Sequence, residues 1–507
     1  MDAVQPTKAL AILCFLFNSG VGAAEAPSPP RAIGRFELPR VPGEGEQLVL
    51  TRLPSGDRLS VRRTSAPARL PALPLGANLL ADAAARTTFG VEERCRVEAR
   101  EGGIDLICLP GTFAAGLLLR FDARYPAGAA ASGMIEARGD PGFQAQFGHR
   151  GEDAAEPRNV SARRGLPIPS ERGERAAQLV ILAPAAGGTL HIGRVGLVPA
   201  SRRSTARAGA WAWQPALWRE SGDALLRSAA ARGLGRLSVT LAISEGRIEN
   251  AEALAAFVRS ARRQGIAVEA VEGDPDMVFA HGLASAAARA RAIAAYQRTA
   301  APAARLAGVQ YDIEPYTLAS WGQEPAGYRG WSEAVRTLAR SAGQPIHLVL
   351  PFWIAEGEEG QAFLRAVQAS VSGVTVMAYR TEAALVSVVA EPLLNWGSAN
   401  GKPVRVALET GPVAEEVEES FVAAPRGRIA LSGAGRQVTA TLLDRGGAVP
   451  GARMFALAGR TTAPPARISF LGDDRRMLET SRALAGALSA WSSFDGFSYH
   501  GLAWPVD

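Results

Sequence analysis

Two textures divide the chain. From about residue 31 to 200, short apolar runs of β character are separated by Gly- and Pro-containing turns, and helical periodicity is scarce. "EQLVLTRL", "GLLLRFDARY", "AAQLVILAP" and "GTLHIGRVGLVP" are examples. Strands at this spacing predict an all-β sandwich over 31–200. The stretch "SRRSTARAG" (201–209) is polar and aperiodic and reads as a linker. From 210 to 507, short apolar strands alternate with Ala- and Arg-rich stretches. In "AEALAAFVRSARRQG" the apolar residues recur at three- and four-residue spacing, as in an amphipathic helix. Eight strands are legible, at 210–214, 236–243, 266–274, 307–315, 346–353, 373–380, 403–410 and 494–504. Eight strand–helix units over about 300 residues predict an α/β fold, the (βα)8 TIM barrel. A doubly wound sheet shares the alternation, but no Gly-rich phosphate loop follows the first strand. One segment breaks the pattern. Residues of about 421–470 hold "RIALSG", "RQVTATLLDRGG" and "RMFALAG", which predict a small β insertion after the seventh strand.

The termini and cysteines bear on location. Lys8 precedes the apolar run Ala9 to Phe17, and small residues follow at 21–24. That run is too short to span a bilayer and predicts a signal peptide over 1–26, with no membrane insertion after its cleavage. The mature protein is then periplasmic or secreted. Of three cysteines, Cys14 would leave with the leader. In "CRVEAREGGIDLIC", a two-residue turn at Glu101-Gly102 sets Cys95 opposite Cys108 at a non-hydrogen-bonded pair, close enough for a disulfide. An oxidising compartment lets that bond form.

The formal charge of +6 invites a nucleic-acid reading. Yet nearly all the basicity is scattered arginine matched by acids, with no dense basic run and no aromatic-interleaved motif, so nucleic acid is excluded as the partner. The five histidines are widely spaced and form no metal-ligand pattern. No P-loop or Ser nucleophile elbow is present, and the chemistry calls for no cofactor.

A (βα)8 barrel carries its active site at the C-terminal strand ends. Those ends hold Trp213, the acids Glu272 and Asp274, then Asp312, Glu314 and Tyr316, Trp353, Tyr379 and Arg380, Glu409, and finally His500 and Trp504. In "VQYDIEPY" strand alternation sends Gln310, Asp312 and Glu314 to one face. Buried carboxylates are costly unless paired, hydrogen-bonded or used. Carboxylates beside flat aromatic rings suit a sugar site: acids move protons at the glycosidic oxygen, and rings stack on pyranose faces. Asp274, before Pro275 in "EGDP", reads as a turn cap rather than a cation ligand.

These motifs resemble known families. "DIEP" on the fourth strand with "ALET" on the seventh looks like clan A glycosidases, which implies Glu314 as acid/base and Glu409 as nucleophile, although Ile313 stands where that clan has asparagine. "AGVQYDIE" is similar to the fourth-strand signature of family 18 chitinases. That resemblance implies Asp312 and Glu314 as the last two acids and, through "VMAYR", Tyr379 as a contact to the reacting sugar. Ala307, Gln310 and Arg380 depart from its pattern. The closing runs of the sandwich resemble jelly-roll carbohydrate-binding modules. The expectation is an exported glycoside hydrolase acting on a polysaccharide or oligosaccharide. Its acids are Glu314, Glu409 and Asp312, and its sugar contacts are Tyr316, Tyr379, Arg380, Trp213, Trp353, His500 and Trp504. A substrate-assisted variant uses the sugar's own acetamido group with Asp312 and Tyr379. A non-catalytic saccharide-binding protein of the cell envelope is the alternative.

Overall fold

Eight parallel strands close into a barrel in the computed structural model: β1 (Gly209–Ala212), β2 (Arg236–Val239), β3 (Ala267–Glu272), β4 (Val309–Tyr311), β5 (Ile346–Pro351), β6 (Val371–Met377), β7 (Val404–Glu409) and β8 (Phe494–His500). The structure describes residues 30–504 except 39, 54–55, 64–69, 82, 155–156, 161–163, 170–174, 201–206, 319, 356 and 435–436. The expected signal peptide and most of the expected linker lie outside the described residues. All eight predicted strands are present, each shorter than its apolar run because the ladder ends before the hydrophobicity does.

The crossover helices pack by the stripe legible in the sequence. Ala251–Arg263 buries Leu254, Phe257, Val258 and Ala261, while Tyr328–Ala342 buries Trp331, Val335 and Leu338. Inside the barrel the N-terminal layer is charged. Arg405 grips Glu269 with two hydrogen bonds of 2.7 Å, and Arg405 and Arg236 both reach Asp495. Two cations and two anions offset one another where neither alone is tolerable.

The sandwich consists of two antiparallel sheets. One contains Ala85–Phe89, Gly116–Arg124, Gln144–His149 and Ala176–Leu182; the other contains Cys95–Arg100, Gly103–Cys108, Ala131–Gly139 and Gly188–Pro199. Leu117, Leu119, Phe121, Phe147, Leu179, Ile181 and Ile192 share its core. Cys95 pairs with Cys108 across the hairpin and forms the expected disulfide, with Cα atoms 4.1 Å apart.

The sandwich does not begin at residue 31. Strands Ala32–Leu38, Glu46–Leu53 and Gly56–Arg63 join a separate seven-stranded sheet, whose other four strands are the insertion after β7: Glu416–Ala423, Gly427–Ala434, Gln437–Gly447 and Arg453–Ala463. Glu46–Leu53 pairs with Glu416–Ala423, and Ala32–Leu38 pairs with Gln437–Gly447. Leu38, Leu48, Leu50, Phe421, Ile429, Val438, Leu442 and Phe455 form one core. Neither part buries its apolar face alone, so two segments remote in sequence complete one sheet. This sheet stands beside the barrel mouth, where Arg380 after β6 pairs with Glu416 at 3.1 Å.

Sandwich and barrel are joined by a buried ion pair. Arg124 donates to both oxygens of Glu391, at 2.9 and 2.8 Å, from the strand Gly116–Arg124 to the helix Ala383–Asn400. Beside it lies an apolar cavity of ≈ 370 Å³ lined by Leu73, Phe121, Val388 and Trp491 among others.

Candidate active site

Beyond Tyr311 the chain stays strand-like, and the Asp312 N–H still donates to the Glu272 carbonyl of β3. Pro315 then opens a short 3-10 turn, Pro315–Thr317, which stops the extension. The expected alternation holds. Gln310 accepts from the Trp211 indole of β1 at 2.5 Å and donates to the Thr375 hydroxyl of β6 at 3.3 Å. Thr375 in turn meets His347 of β5 at 2.8 Å. Gln310 therefore crosses the barrel interior, and it must both accept and donate there, which a carboxylate cannot do. Asp312 follows it one layer nearer the mouth.

Asp312 and Glu314 are the unusual groups. Oδ1 of Asp312 is enclosed and has no hydrogen-bond partner. Burial, and then the charge of Glu314, push the Asp312 carboxyl up to about 8, with His500 pulling against them. Burial also raises Glu314, opposed by the Tyr316 hydroxyl, which donates to Glu314 Oε1 at 2.5 Å, and then by His500. The two acids titrate as a coupled pair, in which the charge on one raises the proton affinity of the other. Tyr379 stands among the carboxyls. Burial, then the charges of Glu409, Asp312 and Glu314, drive its phenol well above its usual value, so its hydroxyl remains a donor.

Glu409 is enclosed differently. Its side chain is buried; Oε1 accepts from the Gly411 N–H at 2.6 Å, and Oε2 accepts from His500 Nδ1 at 2.6 Å. The Trp213 indole donates to His500 Nε2 at 2.9 Å, so both ring nitrogens are engaged and the tautomer is set. The imidazole is caged by Trp211 and Trp213, both edge-on, and by Tyr379, stacked at 6.2 Å and 25°. Gly501 has φ +72°, and a Cβ there would collide with Glu409 Oε1 and the Gly411 backbone, so only glycine fits next to His500.

Asp312, Glu314, Tyr316, Tyr379, Glu409, His500 and Trp213 thus come together at the mouth. Trp353 joins at the edge, meeting Tyr316 edge-on at 5.1 Å. Two expected sugar contacts are engaged by other partners. Arg380 turns to Glu416 and lies over the Phe352 ring at 5.0 Å, engaged by the inserted sheet. Trp504 lies beyond β8; its indole donates to the Trp211 carbonyl, and the Arg232 guanidinium sits 5.7 Å over its ring. Glu272 is bound by Arg289 at 2.7 Å, and Asp274 caps the turn after β3, as its place before proline suggests. The sequence reading missed Trp211, Gln310 as a cross-barrel tie, Gly411 and Gly501. Only Trp211 had a signal: in "WAW" it lies two residues from Trp213 and so shares its face. Among the described residues no group of three or more His, Cys, Asp or Glu is placed to hold a metal ion.

No protein-family model matches the chain, and no curated protein matches it. Among solved structures it is similar to the Bacillus cereus spore cortex-lytic enzyme SleL, at 11% identity and TM-score 0.32, over 62% of this chain and 75% of that one. It is also similar to a chitinase from Chromobacterium violaceum, at 15% identity and TM-score 0.32, over 60% of this chain and 96% of that one. A third is the GH18 chitinase ChiB of Flavobacterium johnsoniae, at 10% identity and TM-score 0.29, over 59% and 88%.

Proposed function

We propose that the protein is an exported glycoside hydrolase that cleaves polymers of 2-acetamido sugars with help from the substrate's own acetamido group. Glu314 gives its proton to the glycosidic oxygen as the bond to the anomeric carbon breaks. The acetamido carbonyl oxygen attacks that carbon from the opposite face, and water later opens the cyclic intermediate. Asp312 accepts from the acetamido N–H, and the Tyr379 hydroxyl donates to its carbonyl oxygen. One observation carries this reading: the buried, proton-retaining Asp312–Glu314 pair, with an unpartnered Asp312 oxygen, stands beside Tyr379. Glu409, the other nucleophile candidate, has both oxygens already engaged, which argues against its attacking a sugar. The Cys95–Cys108 bond supports an oxidising compartment.

The test is a screen of fully acetylated and deacetylated amino-sugar polymers beside neutral glucans. Only the acetylated polymers should be cleaved. Glu314→Gln keeps the shape and should slow turnover by about 10²- to 10⁴-fold while retaining binding. Equal cleavage of a deacetylated polymer or a glucan would remove the acetamido mechanism. Tight glycan binding without cleavage, unchanged by Glu314→Gln, would make this a binding protein instead.

A further inference from the structure

Glu409 and His500 lie at the mouth, the proposed reaction gives them no step, and their arrangement is specific. The imidazole is held at both nitrogens, by Glu409 and by Trp213, and on its faces and edges by Trp211 and Tyr379. Gly411 fixes the second oxygen of Glu409, and Gly501 leaves it room. A carboxylate with one oxygen on a backbone N–H and the other on an imidazole serves to orient that ring. The charged or titratable groups around His500 are Glu409 from β7, Asp312 and Glu314 from the end of β4, and Tyr379 from the end of β6; β1 offers only the indoles Trp211 and Trp213.

We propose that Glu409 and His500 form one positioning unit whose task is to set the charge of the Asp312–Glu314 pair, with the Trp213 indole opposing protonation of the imidazole. Burial disfavours a charged His500, but the hydrogen bond and charge of Glu409, followed by Asp312 and Glu314, more than offset it. The Trp213 N–H opposes them, because it needs a bare Nε2 to donate to. The ring is therefore poised between two states. When it takes up a proton it draws negative charge onto the acids, lowering the affinity of both for their protons. The consequence lies in the alkaline limb of the reaction, where the general acid loses its proton.

This inference rests on the glycosidase reading for its kinetic arm only; a second arm reads the carboxyls directly. Three variants predict signs. His500→Gln can still donate to Glu409 and accept from Trp213, but it cannot be charged, so the alkaline limb of kcat/KM should move to higher pH. Glu409→Gln removes the charge that favours imidazolium and should move the limb the same way, with the double variant adding little beyond His500→Gln, as members of one unit behave. Trp213→Phe removes the opposing indole and should move the limb to lower pH. A ring that only packs would lower kcat without moving the limb, and independent, additive shifts would overturn the unit. The same directions should appear in the titration of the Asp312 and Glu314 carboxyl carbons by NMR on ¹³C-labelled protein without any substrate. If cleavage is never found but these titrations shift as stated, the positioning unit stands and the glycosidase reading falls. Unmoved carboxyl titrations in both folded His500→Gln and folded Trp213→Phe would sink the unit.

Discussion

At the scale of single residues, Asp312 trades stability for proton affinity. The folded protein keeps its proton up to about 8, whereas the unfolded chain releases it near the ordinary value of 3.8. Between those limits the native state binds more protons, so the contribution of this group to stability is complete below about pH 4 and is lost as pH rises toward 8. Asp312→Asn should therefore be more thermostable than wild type, by a margin that grows from pH 4 to pH 8, while its turnover collapses. Parallel melting-temperature profiles for the two proteins would contradict the buried protonated acid. Gln310 shows the other residue-scale rule. Its amide accepts from Trp211 and donates to Thr375 at once, two roles that an ionised side chain cannot combine.

At the scale of elements, the seam between the sandwich strand Gly116–Arg124 and the helix Ala383–Asn400 carries a buried ion pair. The Arg124 and Glu391 side chains are each 4% exposed, and the Ala127 N–H adds a further bond to Glu391. Losing one partner of such a pair leaves a buried charge without compensation, typically at about 3–5 kcal/mol. Arg124→Met should cost on that order in urea unfolding. Arg124→Met with Glu391→Met should recover most of the loss, since apolar replacement of both members is often neutral or better. A double variant as unstable as the single one would show that the pair does more than cancel its own charges.

For the molecule as a whole, the seven-stranded sheet is the unexpected feature. It ties residues 32–63 to 416–463, across the whole sandwich and most of the barrel. Deleting residues 1–70 should strip Glu416–Ala423 and Gln437–Gly447 of one partner each and expose two long edges. Hydrogen exchange across 416–463 should rise sharply, with aggregation on warming, and Arg380 should lose its fixed partner Glu416. Unchanged protection there would mean that the insertion folds on its own.

Local pattern was enough for everything that depends on neighbours in the chain. The eight strand–helix units follow from apolar spacing, the Cys95–Cys108 bond from a two-residue turn, and the inward set Gln310 and Asp312 from strand alternation. Carboxylates at strand ends marked the mouth for the same reason: barrel geometry puts every strand end on one rim. What depended on partners far away in sequence was decided only by the tertiary structure. A strand's own residues do not say which edge it will pair with, so the three N-terminal strands read as part of the adjacent sandwich although they complete the inserted sheet. Trp504 and Arg380 follow β8 and β6, and their engagement with Arg232 and Glu416 comes from segments remote in sequence. Glu409 reads like any rim acid, and only the approach of Gly411 and His500 from separate segments settles both of its oxygens.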